Sequence, residues 1–208
     1  MNIKGLFNRR SLGRSAVITA IITAFAAGPA LAATKPTSAV DTSACSTPAL
    51  AQPFLSANDT NWYTLAPGET ADNFDGTGWT LTGGARIITT RLADGQTGSV
   101  LDLPSGSMAV SPSICVESDY PTARTVVKDA PGAQIGYSVA YAGTLSAVVP
   151  EPAGFIVGTA PGWSLSNPFQ VHPGNAAGWQ LVRFTFVSFG LLSNAQMYNF
   201  YIDPRMAG

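Results

Sequence analysis

Ile135-Gly136-Tyr137-Ser138-Val139-Ala140-Tyr141 sets a large apolar or aromatic residue at every second position, with a small residue between. Successive side chains of an extended chain point to opposite faces. The stretch therefore predicts a strand with Ile135, Tyr137, Val139 and Tyr141 on one face and Gly136, Ser138 and Ala140 on the other. Residues 179–189 carry the same signal, with Val182, Phe184 and Phe186 sharing a face.

Short strands are also expected at 62–66, 79–81, 85–91, 99–103, 108–116, 122–128, 154–159, 163–171 and 199–203. Tight turns punctuate them, among them Gly83-Gly84 and Asp129-Ala130-Pro131-Gly132. No segment sustains a helical period for three turns, and there is no internal repeat. Strands at this spacing predict an all-β, two-sheet antiparallel sandwich of the jelly-roll kind, or a barrel. Low charge, 11% of residues, and abundant Gly, Ser, Thr and Ala fit that class.

The N-terminus has a different character. Lys4, Arg9, Arg10 and Arg14 precede an uncharged run of small and apolar residues at 16–27, broken by Gly28-Pro29. Ala30-Leu31-Ala32 then supplies a small-x-small cleavage pattern. Residues 1–32 read as a secretory signal peptide cleaved after Ala32, with an uncleaved anchor as the alternative. The run falls short of the roughly 20 residues of a membrane span, so the mature chain is expected to carry no transmembrane segment. Arg9-Arg10-Ser11-Leu12 leaves the general and twin-arginine export routes both open. Residues 33–44 read as a flexible leader and 45–205 as one sandwich domain.

Export changes the charge balance. Four of the 11 basic residues lie in the signal, so seven face 12 acidic ones, a mature net charge of about −5. That excludes a basic patch of the kind nucleic acids or anionic membranes require. Cys45 and Cys115 read most simply as one disulfide in an oxidising compartment. Two free thiols or an intermolecular bridge are the alternatives.

Several stretches carry a resemblance. Cys45-Ser46-Thr47-Pro48-Ala49-Leu50-Ala51-Gln52-Pro53-Phe54, Tyr63-Thr64-Leu65-Ala66-Pro67-Gly68 and Gly78-Trp79-Thr80-Leu81-Thr82-Gly83-Gly84-Ala85 stand in order, followed by Cys115-Val116 and Tyr120-Pro121-Thr122-Ala123-Arg124. Together they resemble a group of secreted actinobacterial proteins with no established activity. Phe74-Asp75-Gly76-Thr77-Gly78-Trp79 and Tyr201-Ile202-Asp203 also resemble the opening and closing stretches of galactose-binding-like jelly rolls, such as carbohydrate-binding modules of families 4 and 9. The leading Asn-Gly of those modules is missing, and Asp75 stands where they usually have Glu. The resemblance implies a structural calcium near Asp75 and Asp203, with Asp72 close in sequence. It also places Trp79 and Trp179 in the core. Read as residues alone, the three acids are ordinary turn formers.

Catalytic signals are sparse. His172 is the sole histidine, lies in a loop by composition and has no Gly-x-Ser-x-Gly partner motif. The same scarcity argues against zinc. No carboxylate pair stands in a glycosidase motif, and phosphate-binding loops are absent. Trp62, Tyr63, Tyr120 and Trp163 fall near turns or strand ends, where flat rings would line a sugar-binding cleft; the competing reading is that they fill the core. The sequence thus predicts a secreted, non-catalytic binding module with extracellular glycan as its partner. A cell-envelope or extracellular structural protein acting through protein contacts is the alternative.

Overall fold

The computed structural model describes residues 40–117, 122–129, 134–143, 151–171, 178–190 and 194–203. The expected signal peptide, leader residues 33–39, Tyr120 and His172 lie outside them. The strands, in chain order, are β1 (Thr64–Leu65), β2 (Glu69–Thr70), β3 (Asn73–Phe74), β4 (Thr80–Thr82), β5 (Arg86–Arg91), β6 (Thr97–Leu103), β7 (Met108–Val110) and β8 (Ile114–Val116). There follow β9 (Thr122–Asp129), β10 (Gln134–Tyr141), β11 (Glu151–Ile156), β12 (Gly162–Leu165), β13 (Phe169–Gln170), β14 (Gln180–Phe189) and β15 (Ala195–Asp203). One 3-10 turn, Leu55–Ala57, is the only helical element among the described residues. No helix there is long and apolar enough to cross a membrane.

Two sheets form. The six-stranded sheet runs β11-β10-β14-β7-β4, with β8 also on β14. The nine-stranded sheet runs β12-β9-β15-β6-β3-β2, with β1 on β15, β13 on β9 and β5 on β6. Every ladder is antiparallel except the single β3–β6 pair, Asn73 with Ser99. The long strands β14 and β15 organise the sheets. On one side β14 pairs with β10 along its length; on the other it takes β8 at 180–182 and β7 at 185–187.

Alternation decides which faces meet. Ile135, Tyr137 and Val139 of β10 are buried, as are Val182, Phe184 and Phe186 of β14. They pack against Phe169, Ala123, Val127, Met197, Phe200 and Ile202 from the other sheet. Trp79 joins this core, and its indole N–H donates to Pro67 O at 2.8 Å. Trp179 packs partly buried against the same cluster. The molecule is a β-sandwich, and the Cys45–Cys115 disulfide ties β8 to the chain before β1.

Prolines cut two of the expected strands. Residues 108–116 become β7 and β8 because Pro112 has no N–H to give a ladder. Ser111 bridges the gap: its N–H donates to Phe184 O at 2.8 Å, and its Oγ accepts Phe184 N–H at 2.9 Å. Residues 163–171 divide likewise into β12 and β13 around Pro168.

The β2–β3 hairpin docks on an irregularity of β15. Register slips between Tyr198 and Tyr201, leaving Asn199 and Phe200 without partners on β9. Glu69 Oε2 accepts the Phe200 N–H at 3.1 Å, while the buried Oε1 has no hydrogen-bond partner among the described residues. Burial pushes the Glu69 carboxyl up to about 8, against the opposing pull of the Phe200 and Asn199 amides. The folded state therefore holds a proton that the unfolded chain releases near its ordinary 4.5. This group's contribution to stability is full below that value and is lost as pH rises through about 8. Glu69→Gln is expected to raise the melting temperature above pH 8 and to converge with the parent protein below pH 4.5, as followed by circular dichroism. Parallel pH profiles for the two proteins would contradict this.

Candidate functional site

On the six-stranded sheet, the side of β10 turned away from the core carries Gly136 and Ser138. Register sets their neighbours. Gly136 stands between Phe155 of the edge strand β11 and Val187 of β14. Ser138 stands between Pro152 and Thr185, and Gln134 is paired with Phe189. A β-bulge on β11 leaves Ala153 unpaired, because Tyr137 faces Gly154 while Ser138 faces Pro152.

These residues form a cleft of about 620 Å³. Phe155 is 57% exposed and Phe189 50% exposed, unusual values for phenylalanine on a sheet. Their centroids are 6.1 Å apart, with planes at 69°. Gly136 is what lets the rings close over the strand. A Cβ there would stand 2.5 Å from Phe189 Cε2 and 3.6 Å from Phe155 Cε1. Among the described residues the lining carries no carboxylate, imidazole, amine or guanidinium; its polar side-chain groups are the hydroxyls of Ser138 and Thr185, while the Tyr137 ring is buried in the core. Tyr137 OH accepts the Gln170 N–H at 3.1 Å. Such a surface presents flat apolar faces to a ligand, with a few neutral hydrogen-bonding groups.

The residues singled out from sequence lie elsewhere. Tyr63 is 1% exposed, packed edge-on to Phe54 and Tyr201. Its hydroxyl donates to Asp59 Oδ2 at 2.7 Å, and the same oxygen accepts Arg124 Nη1 at 2.5 Å. Tyr63 thus fastens the N-terminal segment and offers no ring face to a ligand. Trp62, its neighbour, is 50% exposed and outside this cleft. Trp163 is half-buried on the nine-stranded sheet, edge-on to Tyr198, and its indole N–H donates to Arg91 O.

The three acids expected near calcium have separate partners. Asp72 Oδ1 accepts Asn199 Nδ2 at 2.7 Å, Asp75 Oδ1 accepts the Thr77 N–H at 2.6 Å, and the buried Asp203 accepts Thr122 Oγ1 at 3.3 Å. Hydrogen bonds from Thr77 hold the Asp75 carboxyl below the usual carboxylate range. Among the described residues, no group of three or more His, Cys, Asp or Glu is placed to hold a metal ion.

The sequence did contain a signal for Phe155 and Phe189. In Phe155-Ile156-Val157 both strand faces are apolar, and Thr185, Val187 and Phe189 set apolar groups on the face opposite Phe184 and Phe186. Apolar residues on both faces of an exposed strand break the alternation that burial explains.

Fold and cleft define an all-β, disulfide-closed sandwich with an aromatic cleft on one sheet whose described lining carries no charge. No protein-family model matches the sequence, and no curated protein matches it. Among solved structures the chain is similar to the CBM22-1–GH10 modules of the Clostridium thermocellum endo-1,4-β-D-xylanase 10B complexed with xylohexaose. Identity there is 14% and the TM-score 0.41, with 64% of this chain and 27% of that chain covered. It is also similar to the CBM22-1 xylan-binding domain of Paenibacillus barcinonensis Xyn10C, at 16% identity and a TM-score of 0.38, covering 61% of this chain and 85% of that one. A third is the C-terminal CBM6 of LamC from Zobellia galactanivorans, at 17% identity and a TM-score of 0.35, covering 60% and 98%. This chain thus spans 27% of the xylanase's length. At these TM-scores the likeness specifies neither ligand nor site.

Proposed function

We propose that this chain is a secreted, non-catalytic module that binds a neutral glycan in the Phe155–Phe189 cleft. The observation that carries the reading is the pair of exposed rings leaning over Gly136 in a lining whose described residues carry no charge. A pyranose presents an apolar C–H face and an equatorial belt of hydroxyls. The rings suit the first, and Ser138 and Thr185, which face each other across β10 and β14, suit the second. Among the described residues the lining offers such a sugar a surface and no carboxylate or imidazole as acid and base. The N-terminal sequence and the disulfide support export.

Affinity electrophoresis through gels containing soluble xylan, mixed-linkage β-glucan or galactan tests the reading. At least one polysaccharide is expected to retard the protein. Each of Phe155→Ala and Phe189→Ala is expected to weaken retardation about tenfold, the effect of removing roughly 1.5 kcal/mol of ring contact. Unretarded migration in every neutral polysaccharide would overturn it. The edge position of β11 favours one second reading, a protein strand or loop docking on Phe155. In that case the variants would lose a protein partner and polysaccharide gels would have no effect.

A further inference from the structure

The outer face of the nine-stranded sheet holds a second recess, of about 430 Å³, with a different chemistry. It lies where two small clusters meet outside the main core. Phe54, Tyr63 and Tyr201 form one, and Leu92, Val100 and Tyr198 the other, with Trp163 packed against it. Trp163 supplies a partly exposed aromatic wall, standing at 87° to Tyr198, and Tyr198 and Tyr201 are buried beneath the recess. Asp72, Asp94 and Asn199 supply polar groups.

The charges in this recess are all of one sign. Among the described residues, Asp72 and Asp94 are the only charged side chains that line it. Neither is in an ion pair; the salt bridges among the described residues are Arg86–Asp102 and Arg124–Asp59. Each carboxylate uses one oxygen locally, Asp72 Oδ1 for Asn199 Nδ2 and Asp94 Oδ1 for the Gln96 N–H. The Oδ2 atoms of both carry no hydrogen bond among the described residues. The field of these groups is felt by the rings. Burial pushes the Tyr198 phenol up, and Asp72 and Asp94 push it further; burial followed by Asp72 and Glu69 does the same at Tyr201. The Trp163 ring already holds one cation, Lys128 Nζ, 5.6 Å from its centroid.

We propose that this recess binds an organic ammonium group, such as the protonated amine of an amino sugar or of a lysine side chain. The partly exposed Trp163 ring and carboxylate oxygens without counterions together recognise that chemistry, and a neutral or anionic ligand would leave both without partners. The site is on the other sheet from the Phe155–Phe189 cleft and does not depend on it.

The test is calorimetric titration at pH about 6, where the probe amines are protonated. The probes are glucosamine, N-acetylglucosamine and lysine amide. Glucosamine or lysine amide is expected to bind saturably, and N-acetylglucosamine, which has lost the charge, to bind at least tenfold more weakly. The two amines distinguish a sugar from a peptide source. Asp94→Asn keeps the acceptor for Gln96 and removes one charge, and is expected to weaken binding about fivefold. Phe155→Ala is expected to leave it unchanged. Equal binding of N-acetylglucosamine, an unaltered Asp94→Asn protein, or no saturable binding of either amine would overturn the proposal.

Discussion

Reducing the Cys45–Cys115 bond is expected to lower the melting temperature by about 8–16 °C. The bond closes a loop with a sequence separation of 70. In the chain-entropy picture, freeing such a loop in the unfolded state costs about 4 kcal/mol of stability. For a domain of this size each kcal/mol moves the transition by about 2–4 °C. Position adds to the argument. Cys115 lies in β8 between buried Ile114 and Val116, and is paired with Leu181 of β14. Cys45 precedes a stretch held by the Ala51–Tyr63 bridge and the small Phe54–Tyr63–Tyr201 cluster. The bond thus joins a firmly packed strand to a segment with few anchors of its own. A Cys45→Ser/Cys115→Ser variant should melt with the reduced protein. Calorimetric scans of oxidised and reduced protein that coincide would contradict the account.

Phe200→Ala is expected to destabilise the fold by about 3–5 kcal/mol, the range for losing a fully buried aromatic ring. Phe200 is completely buried where the sheets meet. The rings of Phe184, Phe186, Phe169 and Trp79 surround it, with centroids at 4.9, 5.2, 6.0 and 6.4 Å. Four neighbours drawn from several strands cannot all move into the space one ring leaves. The residue also follows Asn199 in the slipped part of β15, so its backbone is held by Glu69 and does not follow the missing side chain inward. Urea titration measures the loss as a lower midpoint at unchanged slope. A loss below about 1 kcal/mol would mean the core had repacked. Phe189→Ala serves as the contrast: with its ring half exposed, it should cost well under half as much.

How far the sequence revealed the fold depended on strand length. β10 and β14 have eight and ten residues, long enough for a period of two to show, and Ile135, Tyr137, Val139, Val182, Phe184 and Phe186 are buried as read. The pairs β2 and β3 have two residues each, too few for any period, and the turn between them gives no hairpin signature. Pro112 and Pro168 stood in plain sight, yet each was read as lying inside one continuous strand. The site was less legible. Tyr63 and Phe189 are both aromatic residues in or beside strands; only the three-dimensional packing buries the one at 1% and leaves the other at 50%. Choosing rings by closeness to turns passed over Phe155 and Phe189, whose signal was a fault in the alternation.

The central claim is that the Phe155–Phe189 cleft holds a neutral glycan. Its most direct test is to follow the phenylalanine ring signals by NMR while titrating xylohexaose, cellohexaose and laminarihexaose in turn. With at least one sugar, the signals of Phe155 and Phe189 should shift together and saturate, while that of buried Phe200 stays in place. Unmoved Phe155 and Phe189 signals with all three sugars would contradict the account.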